Sequence, residues 1–377
     1  MNEYQVPKRF YSLDVLRGVA ALSVVFLHWR HFFYTGNVQD ASFSAQNLPL
    51  FDTFSVFYTD GWLAVDLFFS LSGFIFYWLY SGQIANKVIS GKEFFLLRFS
   101  RLYPLHLATL LLVAFGQMIY IQINQTAFAY SHNDAYHFIL NLVFAMSWWS
   151  DEQPSFNGPA WSVSIEVALY ALFYFLCKYV PISKAVLIGI AISGLIVFST
   201  FNHFLGRGLA SFFIGGLVYL AYQHILSAGW TGKALRYALG LSIALWVITA
   251  VAIKTGWNFS NTPFIWRYTF FYSALFLFPL TILTLALIET QRGQFGKRFA
   301  LLGDISYSTY LLHFPLQLLF MIAIPLLGMD RSVFLSPYTL AVFFALLLAI
   351  SCISHIYFER PMQRYIRRKW ADRRIKA

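Results

Sequence analysis

Apolar segments of about twenty residues follow one another almost without pause from residue 11 to residue 358. That is the length an α-helix needs to cross a hydrocarbon core about 30 Å thick. Ten segments are readable, at 11–33, 60–80, 103–123, 160–179, 184–202, 206–225, 234–253, 266–288, 303–327 and 338–358. Lipid offers the backbone no hydrogen bonds, so a spanning segment must satisfy its own, as a helix does. Composition agrees, with 59% hydrophobic and 11% charged residues, where soluble domains carry about 25% charged. The expectation is an all-α integral membrane protein with about ten transmembrane helices. One membrane domain over 1–362 and a basic cytoplasmic tail over 363–377 account for the chain, with no soluble domain beside them.

Charge orients these helices. With the N-terminus in the cytoplasm, 22 of the 27 lysines and arginines fall on the inner side and 5 on the outer, as the positive-inside rule requires. Both termini are then cytoplasmic. The same rule decides the short apolar stretch 137–149, because a full crossing there would place the basic tail outside. A re-entrant or interfacial helix on the outer face is expected instead. The net charge of +11 is explained by inner loops and tail facing anionic lipid headgroups, not by nucleic acid. The first segment carries Asp14 and Arg17 and lacks a small-residue cleavage site, so it is expected to remain as a helix and not to be removed as a signal peptide. Cys177 and Cys352 lie within spanning segments and form no metal pattern, so no metal is expected.

An ionisable group at membrane depth is costly, and each one is a functional candidate. In LDVLRGVAALSVVFLHW, Arg17 and His28 are eleven residues apart, which returns both to one helix face within about 20°. Asp14 lies within about 40° of that stripe. Arg17 suits either an interface anchor paired with Asp14 or an anion site near the cytoplasmic edge. His28, in the outer half, suits either an interhelical hydrogen bond or proton exchange near neutrality.

The next segment, DGWLAVDLFFSLSGF, repeats Asp66, Ser70 and Gly73 at helical spacing, which turns Asp66 toward protein. A carboxylate at that depth either bonds a helix end or fixes the tautomer of His28. In LLRFSRLYPLH, Arg98 and Arg101 are neighbours if helical, and Pro104 is expected to begin the next helix. The two guanidiniums suit phosphate or pyrophosphate, or simply lipid headgroups. On the outer side, FNGPAWSVSIEVALY sets Asn157, Trp161 and Ser162 at the lip of a helix that carries Glu166. Glu166 serves either as a polar partner to His28 or as an acidic residue of the helix N-terminus. In DISYSTYLLHFPL, Ser306, Tyr310 and His313 share one face.

Taken in order, the Arg17–His28 spacing, VDLFFSLSGF, the 98/101 arginine pair, NGPAWSVSIE, SYSTYLLHFP and FERP resemble acyltransferase family 3. These are the integral-membrane O-acyltransferases of cell-surface polysaccharides, and the resemblance runs over roughly residues 8–362. It implies transfer of an acyl group, usually acetyl, from cytoplasmic acetyl-CoA or another acyl-CoA to a sugar hydroxyl. The acceptor it implies is a lipopolysaccharide, an exopolysaccharide or a lipid-linked precursor at the bacterial inner membrane. On that reading no cofactor is bound, and acyl-CoA is a substrate held by Arg17, Arg98 and Arg101. His28 is the catalytic base or acyl carrier, oriented by Asp66 or Glu166. Asn157, Trp161 and Ser162 line the acceptor side, with Asp14, Ser306, Tyr310 and His313 in support. A transporter or flippase of a sugar or lipid-linked glycan is the alternative, against which no inverted repeat is visible.

Overall fold

The computed structural model describes residues 6–41, 43–149, 153–255 and 263–375. Nine helices among them are long and apolar enough to cross a membrane, and Lys184–Thr200 is a shorter apolar helix of 17 residues. The protein is a multi-pass, all-α membrane protein, and its helices coincide with the ten segments of the sequence.

Several boundaries differ from the expected ones for local reasons. The helix Gly91–Asn124 starts well before residue 103, because Ser90 caps it by accepting from the Glu93 amide at 3.2 Å. Pro104 therefore sits inside this helix and does not start it, and Arg98 and Arg101 are helical residues. The stretch 137–149 is helical only as Ala135–Leu142. It begins at Asp134, whose carboxylate accepts from the backbone and side chain of His137 at 3.0 and 2.8 Å. Those bonds, the backbone one foremost, hold the exposed Asp134 carboxyl below its ordinary value. Past Leu142 the chain turns at Phe144, with φ of 59°. A further helix, Phe51–Asp60, precedes the second span without a break and was not expected. The described part of the basic stretch is helical. Helix Pro337–Ser354 passes through a π-helical turn, His355–Glu359, into helix Arg360–Ile375.

The chain packs as two units, the first formed by Met1–Ser23, Thr59–Val88 and Ala168–Asp304. In it, helix Ala64–Phe76 packs closely on helix His203–Ser227. A Cβ on Gly73 would lie 1.9 Å from the Phe212 carbonyl oxygen, and one on Gly215 2.0 Å from that of Ser70. Only glycine permits this approach, which in membranes supplies the packing that a hydrophobic drive cannot. Phe10 closes one end, edge-on to Phe74, Trp78 and Tyr222. Elsewhere Phe198 stacks on Phe270 at 4.6 Å.

The second unit holds Val24–Tyr58, Ile89–Val167 and Ile305–Ala377. Its core runs along helix Ser306–Leu326 and takes in Trp29, Phe32, Phe128, Phe314, Phe334 and Phe343. Phe32 stacks on Phe334 at 3.7 Å, and the Trp29 indole donates to the Phe334 carbonyl at 2.9 Å. Helix Gly91–Asn124 lies along Ser306–Leu326, where Gly116 leaves room for Leu318.

The glycine contact yields a direct test. Gly73→Ala and Gly215→Ala are each expected to cost at least about 1–3 kcal/mol through overpacking. This is read as a lowered thermal midpoint in detergent. Gly82→Ala, where an added Cβ meets nothing within 4 Å, is expected to leave the midpoint in place.

Candidate active site

The helix Tyr11–His28 ends at a histidine, and the chain continues as a tight turn, Trp29–Phe33, that includes His31. His28 is partly accessible, whereas His31 is 5% and His313 0% exposed. His28 Nδ1 lies 2.9 Å from His313 Nε2, with the two rings within 5° of parallel. His313 Nδ1 in turn lies 2.5 Å from the Tyr310 carbonyl oxygen. His31 stacks on the other side of His28 at 4.8 Å. Its Nδ1 faces Gln317 Oε1 at 3.3 Å, and its Nε2 faces the Tyr130 hydroxyl at 3.1 Å. Gln317 Oε1 only accepts, so a neutral His31 carries its proton on Nδ1, and its Nε2 lone pair accepts from the Tyr130 hydroxyl. The Gln317 amide nitrogen donates to the His28 carbonyl at 2.9 Å, and Arg30 Nε donates to the Leu27 carbonyl at 3.0 Å. The end of the first helix is thus capped by side chains where its own ladder stops.

The proline of the SYSTYLLHFP stretch has a positional consequence. Pro315 lies inside helix Ser306–Leu326 and has no N–H, so the carbonyl four residues earlier, that of Leu311, lacks its helical donor. Asn157 fills the vacancy, donating through Nδ2 to that carbonyl at 3.0 Å. Beside it the Tyr310 hydroxyl donates to the Pro159 carbonyl at 2.5 Å and lies 2.7 Å from Ser162 Oγ. Since Tyr310 spends its proton on Pro159, Ser162 is the donor in that pair. Gly158 completes the fit, because a Cβ there would meet the Tyr130 ring at 2.3 Å. The NGPAWS stretch, the SYSTYLLHFP helix and His28 therefore meet within one unit. Trp161 opens helix Trp161–Tyr179, and Glu166 lies half-buried about one turn beyond Ser162. Ser306 is buried one turn before Tyr310. Ser308, on the same helix, donates to the buried Glu359.

The carboxylate partner expected for His28 is absent among the described residues, and a second histidine stands in its place. Asp66 belongs to the first unit, where Arg207 takes both of its oxygens, Nε to Oδ1 at 3.0 Å and Nη2 to Oδ2 at 2.7 Å. The same guanidinium donates to the Trp62 carbonyl at 2.9 Å and lies 5.0 Å from the Trp62 ring centroid. With Asp66 0% and Arg207 4% exposed, this is a buried, bidentate ion pair. Arg207 lies within the apolar segment 206–225, and an arginine within LGRGLASFF is itself a signal that a carboxylate waits nearby.

The cationic candidates are distributed between the units. Arg17 bonds Asp14 at 2.9 Å and the Gly303 carbonyl at 2.9 Å, while Arg9 bridges Asp14 and Asp304 at 2.6 and 2.5 Å. A Cβ at Gly303 would lie 2.4 Å from the Asp14 carbonyl oxygen, so this network rests on close backbone approach. Arg98 and Arg101 belong to the second unit. Arg98 is half-buried, and Arg101 is exposed and acts electrostatically on Glu359. His31, Gln317 and Tyr130 escaped the sequence reading. The first two follow His28 and His313 by three and four residues, the spacings that place side chains on one helix face.

A multi-pass helical protein with a histidine pair between two motif segments defines the class. A family model for the acyltransferase domain, that of acyltransferase family 3, matches residues 10–355. The chain belongs to this family. It is 38% identical over 108 residues to protein 2 in the picA locus of Rhizobium radiobacter, a match covering 29% of this chain and 46% of that one. It is 32% identical over 183 residues to acyltransferase MdmB of Streptomyces mycarofaciens, covering 47% of this chain and 42% of that one. In both cases the match spans less than half of the relative's length. No solved structure matches the chain.

The Asp66–Arg207 pair is expected to act in stability. Asp66→Ala strands a buried guanidinium and is expected to cost about 3–5 kcal/mol, whereas Asp66→Leu combined with Arg207→Met recovers most of the loss. Thermal midpoints of the three proteins in detergent check this. Equal midpoints for wild type and Asp66→Ala would remove the structural role.

Proposed function

We propose that the chain is a membrane O-acyltransferase. It takes an acyl group, acetyl before others, from a cytoplasmic acyl-CoA thioester. It delivers the group to a hydroxyl of a cell-surface or lipid-linked polysaccharide at the bacterial inner membrane. Membership of acyltransferase family 3 supports the reaction class, as does the name of the Streptomyces relative. The observation that carries the mechanism is His28. Its Nδ1 is engaged by His313, while its Nε2 has no partner among the described residues on a partly accessible side chain. A rigidly held imidazole with one open nitrogen is what general-base catalysis needs.

In this reading His28 Nε2 removes the proton of the acceptor hydroxyl as its oxygen attacks the thioester carbonyl. The new C–O bond forms, the C–S bond breaks, and the proton passes to the departing thiolate as free CoA. Arg98 and Arg101 meet the donor phosphates, to which guanidinium geometry is suited. Trp161 faces the acceptor, and Asn157 and Ser162, bonded to the Leu311 carbonyl and the Tyr310 hydroxyl, shape that side.

Purified protein given radiolabelled acetyl-CoA and an envelope polysaccharide fraction provides the test. Label is expected to enter polysaccharide with wild type, and to fall by about 10²–10⁴-fold in His28→Ala. Arg98→Ala and Arg101→Ala are expected to raise KM for acetyl-CoA more than they lower kcat. Equal incorporation by wild type and His28→Ala would dismiss His28 as base. Uptake of a glycan without release of CoA would replace the transferase by a carrier.

A further inference from the structure

The proposed base works only in one of its two neutral tautomers, and we infer that His313 is the positioning residue that selects it. The inference rests on the reading of His28 as base, but its geometry stands independently. His313 Nδ1 lies 2.5 Å from the backbone carbonyl oxygen of Tyr310. A carbonyl accepts only, so Nδ1 of His313 carries the proton, and in a neutral imidazole Nε2 then carries the lone pair. That lone pair faces His28 Nδ1 at 2.9 Å, so His28 must bring its own proton to Nδ1. The lone pair of His28 is thereby left on Nε2. The reverse arrangement would set two lone pairs against each other at 2.9 Å, or leave the Tyr310 carbonyl facing one.

The neighbouring layer packs against the His28 ring and holds its backbone. Gln317 lies one turn beyond His313. It donates through its amide nitrogen to the His28 carbonyl and turns its oxygen toward His31 Nδ1. His31, with Tyr130 on its far nitrogen, stacks on the face of His28. Among these rings the described residues engage every nitrogen except His28 Nε2.

His313 therefore does what the carboxylate does in a Ser–His–Asp arrangement, which is to hold the catalytic imidazole in the correct tautomer and orientation. When His28 Nε2 takes the acceptor's proton, the positive charge that develops is shared through Nδ1–H with the neutral Nε2 of His313. When the proton leaves on the thiolate, the pair returns to its starting state with atoms and charge balanced. A neutral acceptor suits a 0% exposed position better than a carboxylate, whose unpaired burial between apolar helices is expensive.

The test uses the full-length protein in detergent with ¹⁵N-labelled histidine, as wild type, His313→Leu and His313→Gln. Wild type is expected to show His28 protonated at Nδ1 and unprotonated at Nε2. His313→Leu is expected to give a mixture of tautomers, and His313→Gln, whose amide oxygen again accepts from Nδ1, to restore the original. In acyl transfer, His313→Leu is expected to lower kcat about 10²-fold with KM for acyl-CoA unchanged, and His313→Gln to recover about tenfold of that loss. A protonated Nε2 on His28 in wild type overturns the inference without recourse to any variant. So does an unchanged His28 tautomer in His313→Leu, or an equal fall in kcat for the two variants. Because the tautomer is read without turnover, this inference and the acyltransferase reading fail separately.

Discussion

Lipid offers a side chain no hydrogen-bond partner, and most of what is distinctive in this protein follows from that constraint. The buried ion pair and the histidine layer are each answered from within their own unit. In the first unit Asp66 is answered by Arg207 through two bonds, and Arg207 by the Trp62 carbonyl and ring. In the second, His313 is answered by Tyr310 and His28, and His31 by Gln317 and Tyr130. In the histidine layer, Nε2 of His28 is the one ring nitrogen that no described residue engages. A buried polar atom without a partner forfeits about 1–3 kcal/mol, so partial access at that one nitrogen is the arrangement that makes it usable without a large penalty.

Helix defects serve the same end. An uninterrupted apolar helix presents no free carbonyl, because its ladder consumes every one except at the ends. Pro315 opens the ladder at Leu311, and Asn157 enters there. The Tyr310 carbonyl accepts His313 from the side, and the carbonyl at the end of the first helix accepts Gln317. The π-helical turn His355–Glu359 likewise coincides with a buried carboxylate that accepts from Ser308. Pro315 is therefore an attachment point, where a backbone acceptor becomes available to a neighbouring side chain.

The spans were legible because their signal is summed over twenty residues, so that no single one decides. Boundaries were less so. Ser90 and Glu93 form a local cap that starts a helix in a stretch that charge alone marks as a loop. Candidate residues that the structure brings together were legible where a motif places them at helical spacing, as with Tyr310 and His313, and where an ionisable group stands in an apolar run, as with His28. Pairing was not. The sequence presents Asp66 and His28 at similar depths, and depth says nothing about azimuth. Whether a carboxylate meets an imidazole or a guanidinium depends on which helix faces it. Arg207 takes Asp66 because Gly73 and Gly215 let their two helices approach to backbone contact, a fact carried by glycines and not by the charged residues themselves.

The choice of a histidine beside His28 follows from the same economy. A carboxylate in that place would need a counter-charge or several donors when His28 is neutral, and those donors would then compete with the proton it is meant to attract. An imidazole needs only one acceptor for its far N–H, and a helical carbonyl three residues earlier provides it without any additional side chain. The spacing Tyr310–His313–Gln317 contains the whole device: a carbonyl to fix one ring, the ring that fixes His28, and an amide that ties down the end of the helix bearing it. Three residues on one face of one helix thus determine which nitrogen of His28 is open, and so, in the proposed mechanism, from which side an acceptor hydroxyl would be received.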